Sequence, residues 1–340
     1  MDFPFYRGGD QKSQLPELTL DAPRRGGDWE ARGKVYEADQ GLQHAVSVAL
    51  LLGKPLLVTG EPGVGKTELA NSIAYAFDRG EPIKLECKST SVARDLFYSY
   101  DTLGRYLSAQ TLTPASPQAE APGPLTYLHY QALGEAMVRA NPELFAGYLP
   151  EGYTHEKQRG PSVVLIDEVD KAPRDFPNDI LNELENLYFR IPELGNVKLP
   201  TQPLPAESKP FVVITSNSEK NLPEAFLRRC IFYHIPFPEA KMAQIAQNHF
   251  PALRGNSLFL TSALEFFQHA RTKSDSWEKL PSTAECLDWL QAMLAIQGEA
   301  ISQKSLRQVA DLGRQCLGAL GKTVADRELV ARLFEEWVKA

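Results

Sequence analysis

Cysteine is scarce and scattered in this chain. The four, Cys87, Cys230, Cys286 and Cys316, lie far apart with neither CxxC nor Cys/His spacing, which argues against a zinc site or a disulfide framework. Long apolar runs are missing too, since no stretch reaches the ~18 residues a membrane-crossing helix needs. The opening "MDFPFYRGGD" lacks the apolar segment of a secretory leader. Positive charge is not in surplus: 36 Lys and Arg stand against 43 Asp and Glu, a net charge of −7. That balance provides no global field for nucleic acid or an anionic membrane. The expectation is a soluble cytoplasmic protein with reduced, buried thiols.

At 340 residues, with 43% hydrophobic, the chain is long enough for two domains with sizeable cores. Residues 1–30 are rich in Pro, Gly, Asp and Arg without periodicity and read as a flexible tail. Helical spacing starts in "YEADQGLQHAVSVALLLG", after which "PLLVTG" and "PIKLEC" read as strands and "KTELANSIAYAF" as a helix between them. The proline-rich segment about 111–125 reads as a flexible insertion. "PSVVLIDEVD" and "KPFVVITSN" are continuous apolar runs, the pattern of strands buried on both faces of a parallel sheet. Residues 31–237 therefore read as an α/β domain. Residues 238–340 show helical periods and read as a separate all-α domain, with Ser282 and Glu285 spaced as a capping box.

Gly60, Glu61, Pro62, Gly63, Val64, Gly65, Lys66 and Thr67 fit the G-x-x-x-x-G-K-[ST] pattern at every fixed position. Glycines let successive backbone N–H groups face one anion, and Lys66 adds a full charge. The bland alternative, a glycine-rich turn, requires the strand and helix flanking it to be coincidence. The motif points to a nucleoside triphosphate with Mg²⁺, held through the Thr67 hydroxyl and Asp167. Asp167 and Glu168 end an apolar strand, and Glu168 there can orient the attacking water. Asn217 ends the next such strand, where a neutral amide can contact phosphate and water without quenching Glu168. Taken alone it reads as a turn residue, and the series of motifs turns the reading to the functional one. Arg228 and Arg229 close "NLPEAFLRRC" and can stabilise charge on transferring phosphate; the plain reading is a solvated basic pair.

That order of motifs resembles the AAA+ ATPases, and "PLLVTGEPGVGKTELA", "LIDEVDKAP" and "ITSNSEKNLPEAFLRRC" resemble their MoxR-type branch, over about residues 35–300. The resemblance implies an AAA+ P-loop core with an all-α lid at 238–340, and ATP with Mg²⁺ as cofactors. Gly60 to Thr67 become Walker A, Asp167 and Glu168 Walker B, Asn217 sensor 1, and Arg229, or else Arg228, a finger acting in trans. It further implies a homo-oligomeric ring, a hexamer, remodelling or inserting metal into a separate protein with a von Willebrand factor A domain. "STAE" departs from the family by placing Ala284 where a sensor 2 arginine is common. "FRIPELGNVKLP" carries a hairpin signal at Gly195-Asn196, and the resemblance makes it the hairpin before sensor 1. Phe97, Tyr98, Tyr100 and Tyr106 read first as core packing and second as pore aromatics. Tyr36 reads as a helix-packing residue or a base-stacking one. Two other readings stay open, a nucleic-acid-translocating NTPase and a nucleotide-gated scaffold with little turnover. So does ATP against GTP.

Overall fold

The computed structural model describes residues 28–111, 123–150, 152–153, 161–217 and 222–340. Most of the expected tail and of the insertion about 111–125 lie outside the described residues. The chain divides into two compact units. One comprises residues 38–60 and 66–235; the other comprises residues up to 37, residues 61–65 and residues 236–340.

Helix α1 (Trp29–Lys34), in the second unit, starts on an Asp28 cap that accepts from Glu30 N. In the first unit, α2 (Gln40–Leu52) starts on Asp39, whose carboxylate accepts from Leu42 N at 2.9 Å. It stops where Gly53 turns left-handed, the usual way to satisfy a helix's last carbonyls. There follow β1 (Leu56–Gly60), α3 (Lys66–Ala76), β2 (Ile83–Glu86), β3 (Tyr98–Tyr100), α4 (Thr102–Thr111), β4 (Leu128–Tyr130) and α5 (Ala132–Ala140). Next come β5 (Val163–Asp167), α6 (Phe176–Asp179), α7 (Leu181–Asn186), β6 (Phe189–Ile191), β7 (Val197–Leu199), β8 (Phe211–Thr215), α8 (Glu224–Leu227) and β9 (Ile231–Ile235).

Five of these strands form one parallel sheet in the order β2-β5-β8-β1-β9. The inner strands β1 and β5 are buried at every residue, as their unbroken apolar runs require. The edge strands β2 and β9 alternate between more and less covered residues, because one face of each is less enclosed. A parallel sheet brings the carboxyl ends of β5, β8 and β1 to one edge, side by side, and that edge carries the site.

Two antiparallel hairpins, β3–β4 and β6–β7, lie beside the sheet's own ladder. Left-handed Gly195 and Asn196 make the turn between β6 and β7 (φ +74° and +60°). The hairpins share aromatic packing: Phe97 stacks on Phe189 at 4.9 Å, with Tyr98 and Phe145 against the same ring. Phe97 and Tyr98 are buried and Tyr100 is half-buried against this cluster, whereas Tyr106, on α4, is 59% exposed. Gly134 of α5 makes the fit possible, since a Cβ there would lie 1.9 Å from the Phe97 carbonyl oxygen.

In the other unit, α9 (Met242–His249), α10 (Leu258–Arg271), α11 (Thr283–Gln297), α12 (Ala310–Gln315) and α13 (Val324–Lys339) enclose Phe259, Phe266, Trp289 and Phe334. The helix starts are capped. Ser257 accepts from Leu260 N, Thr323 from Asp326 N, and Ser282 and Glu285 form the expected capping box. Asp326, with no exposed surface, accepts from Glu278 N at 2.9 Å and Lys279 N at 3.2 Å. The architecture is a five-stranded parallel sheet with helices plus an all-α C-terminal domain. Among the described residues no helix is long and apolar enough to cross a membrane.

Candidate nucleotide site

The carboxyl edge of the sheet gathers polar groups that the core cannot tolerate elsewhere. At the end of β1, Gly60 keeps a backbone conformation (φ +149°) open to glycine, and its carbonyl accepts from Lys66 Nζ at 2.7 Å. Lys66, buried in the first turn of α3, also donates to Asn217 Oδ1 at 2.9 Å. Thr67 donates to Asp167 Oδ1 at 3.1 Å. Asp167 is buried, and burial by itself raises a carboxyl's pKa. Hydrogen bonds from Lys84 (2.7 Å), Thr215 (2.6 Å) and Thr67 outweigh it and hold Asp167 below the ordinary carboxylate range. The group is therefore an anion at neutral pH.

Glu168 follows in a left-handed conformation, φ +56°, that non-glycine residues seldom adopt. Its N–H donates to Thr215 Oγ1 at 2.8 Å, and its carboxylate pairs with Lys171 at 2.5 Å. That pairing also raises the Lys171 ammonium pKa. Asn217 is anchored by its N–H to Asp170 Oδ1 at 3.1 Å. Behind the acids, burial and then the neighbouring carboxylates of Asp167, Asp170 and Glu168 push the Cys87 thiol up to about 12, so it stays protonated.

The structure thus pairs Lys66 with Asn217 and Thr67 with Asp167 through direct hydrogen bonds, and the Thr215 hydroxyl bridges Asp167 to the Glu168 N–H. Arg228 and Arg229 are engaged elsewhere, with Glu224 and, at 3.1 Å, Glu185. Sequence reasoning missed Lys84, Thr215, Asp170 and Lys171. Asp170 and Lys171 stood in the same "DEVDK" string, and Thr215 stood between the apolar run and Asn217. Lys84 gave no signal, because a lysine on an edge strand reads as solvated.

Residues 55–230, just over half of the chain, match the AAA domain of the dynein-related subfamily. The chain belongs to that AAA family. No curated protein matches it. Membership implies an ATPase of the AAA+ type that binds nucleotide, and the matched range holds every site residue named above. The donor set of this AAA domain fits a magnesium nucleotide. One hydroxyl and one carboxylate held anionic offer hard oxygens to Mg²⁺, and few protein ligands suit an ion that keeps its water and phosphate oxygens.

The tip of the glycine-rich loop, Glu61–Gly65, belongs to the same compact unit as the C-terminal helices. Gly63 and Gly65 have φ of +78° and +93°, and a Cβ on Gly63 would meet Ser282 Oγ at 2.2 Å. Only glycine satisfies both demands at residue 63. Tyr36 lies against Gly65, where a Cβ would come within 3.2 Å of its ring.

Proposed function

We propose that this AAA domain hydrolyses ATP as a cytoplasmic MoxR-type ring ATPase, a hexamer that remodels a separate client protein, one bearing a von Willebrand factor A domain. The observation that supports hydrolysis is the convergence of Lys66, Thr67, Asp167, Glu168 and Asn217 at one sheet edge. Lys66 and the loop N–H groups bind the β and γ phosphates, exchanging the present bonds to Gly60 and Asn217 for charge-assisted ones. Thr67 and Asp167 would hold Mg²⁺, which would supply positive charge to the phosphates. Glu168 releases Lys171 and accepts a proton from the water it orients, while the Asn217 amide fixes that water. Arg229, 46% exposed, is free to exchange Glu185 for a neighbouring subunit's phosphate, which makes the site dependent on assembly. Hydrolysis then shifts the arrangement of subunits, the two-state element a remodelling machine requires.

Lys66→Ala should weaken binding of the magnesium nucleotide by about 100-fold or more. Glu168→Gln should bind normally and lose turnover on the order of 1000-fold, which steady-state phosphate release measures. A fully active Glu168→Gln variant refutes the role assigned to it. A pull-down with Glu168→Gln and ATP tests the client: a stoichiometric protein supports remodelling, and nucleic acid without protein indicates a translocating motor instead.

A further inference from the structure

Arg271, at the end of α10, is not placed like a surface arginine. Its side chain is 11% exposed, its guanidinium carbon lies 3.6 Å from the centre of the Phe237 ring, and it donates to the Pro281 carbonyl. Its remaining edge reaches Glu61, the second residue of the phosphate loop, with Nη2 3.0 Å from Oε2. Both residues belong to the same compact unit although 210 positions separate them.

An exposed ion pair between two flexible side chains contributes little, because both must be ordered. Here one partner is already ordered. Stacking and the carbonyl fix the guanidinium, so less side-chain freedom is lost when the pair with Glu61 forms than in an exposed pair. The neighbouring contact points the same way. The loop tip is seated on the start of α11, where a Cβ on Gly63 would meet Ser282 Oγ at 2.2 Å and the Ala284 methyl at 3.1 Å. Position 284 presents a methyl group to the loop and can make no ionic tie.

We infer that Arg271 is a positioning residue that holds the tip of the phosphate loop through Glu61, supplying from α10 the arginine tie that α11 lacks at Ala284. The inference rests on nucleotide binding at that loop and adds a specific prediction of sign. Glu61 is a negative charge in a loop that receives phosphates. If charge alone mattered, neutralising it would tighten binding; if the tie matters, neutralising it loosens the loop and weakens binding.

The test is steady-state hydrolysis of MgATP by the full chain, with equilibrium titration by a fluorescent ADP analogue and magnesium as a readout independent of turnover. Glu61→Gln should raise KM and the analogue's Kd about 3-fold and Arg271→Ala about 10-fold, with kcat within about 2-fold of wild type. Arg271→Lys should fall between wild type and Arg271→Ala. The double variant should be no worse than Arg271→Ala, because both changes cut the same tie. Tighter binding by Glu61→Gln, multiplicative losses in the double variant, or no change in either single variant overturns the inference. Should Arg271→Ala fail to fold, Glu61→Arg decides: it faces like charge against Arg271 and should raise Kd, although it adds positive charge to an anion site, and a lowered Kd overturns the tie. A wild type that binds the analogue without hydrolysing ATP would refute the ATPase reading while leaving the titration valid.

Discussion

Both units bury polar groups, but for opposite ends. In the helical unit Ser257, Ser282, Glu285, Thr323 and Asp326 accept backbone N–H groups at helix starts or in the adjoining turn, so each removes a cost that folding would otherwise incur. In the sheet unit Asp167, Thr215, Thr67 and Lys66 gather at the strand ends, and apart from the Gly60 carbonyl that also accepts from Lys66 the partners they have there are side chains that a ligand can replace. Polar groups that serve folding have backbone partners, and polar groups kept for chemistry have exchangeable ones.

Substitutions can break that comparison. Asp167→Asn should lose hydrolysis by about 1000-fold with the melting temperature little changed, since the amide oxygen can still accept from Thr215 and Thr67. Thermal unfolding alongside phosphate release measures both, and a large drop in melting temperature would sink the distinction. Gly134→Ala forces a methyl against the Phe97 carbonyl and should destabilise the sheet unit by about 3 kcal/mol, showing that packing, not the polar edge, stabilises it. Asp326→Ala leaves the Glu278 and Lys279 N–H groups without their buried acceptor and should cost about 2 kcal/mol, read by denaturant unfolding, with the nucleotide affinity intact.

The smallest effect concerns pH. Burial raises the Glu285 carboxyl, but hydrogen bonds from Ser282 and the Lys322 charge outweigh it and hold the group below its ordinary value of 4.5. A depressed carboxyl contributes stability above its unfolded value and loses it as pH falls through the folded one. Stability should therefore drop below about pH 4.5, and Glu285→Gln should flatten that drop by about 1 kcal/mol or less.

What the sequence revealed follows the same division. Strands β1, β5 and β8 were legible because burial on both faces demands unbroken apolar runs, and the phosphate loop because glycine and lysine spacing is local. The capping box and the Gly195-Asn196 turn were legible for the same reason, each contained within a few residues. Strand β9 was missed, since "IFYHI" alternates at a sheet edge and carries a histidine and a tyrosine. β3 and β4, three residues each, are too short to show a period. The helical period of "SQKSLRQVADLGRQCL" is realised only in part: 3₁₀ turns at Glu299–Gln303 and Leu306–Val309 precede the six residues of α12. Lys84 beside Asp167 and Arg271 beside Glu61 stayed hidden because long-range ion pairs leave no local pattern.

The left-handed backbone at Glu168 implies something about how such a protein can be improved. A glutamate held at φ +56° costs about 1 kcal/mol that glycine would not. A screen that rewarded heat resistance alone would accept Glu168→Gly as a gain, and on the role proposed for Glu168 it would return a sturdier protein with no carboxylate to orient the water. Engineers working on this chain need to select for turnover at every round, because at residue 168 durability and activity pull toward different amino acids.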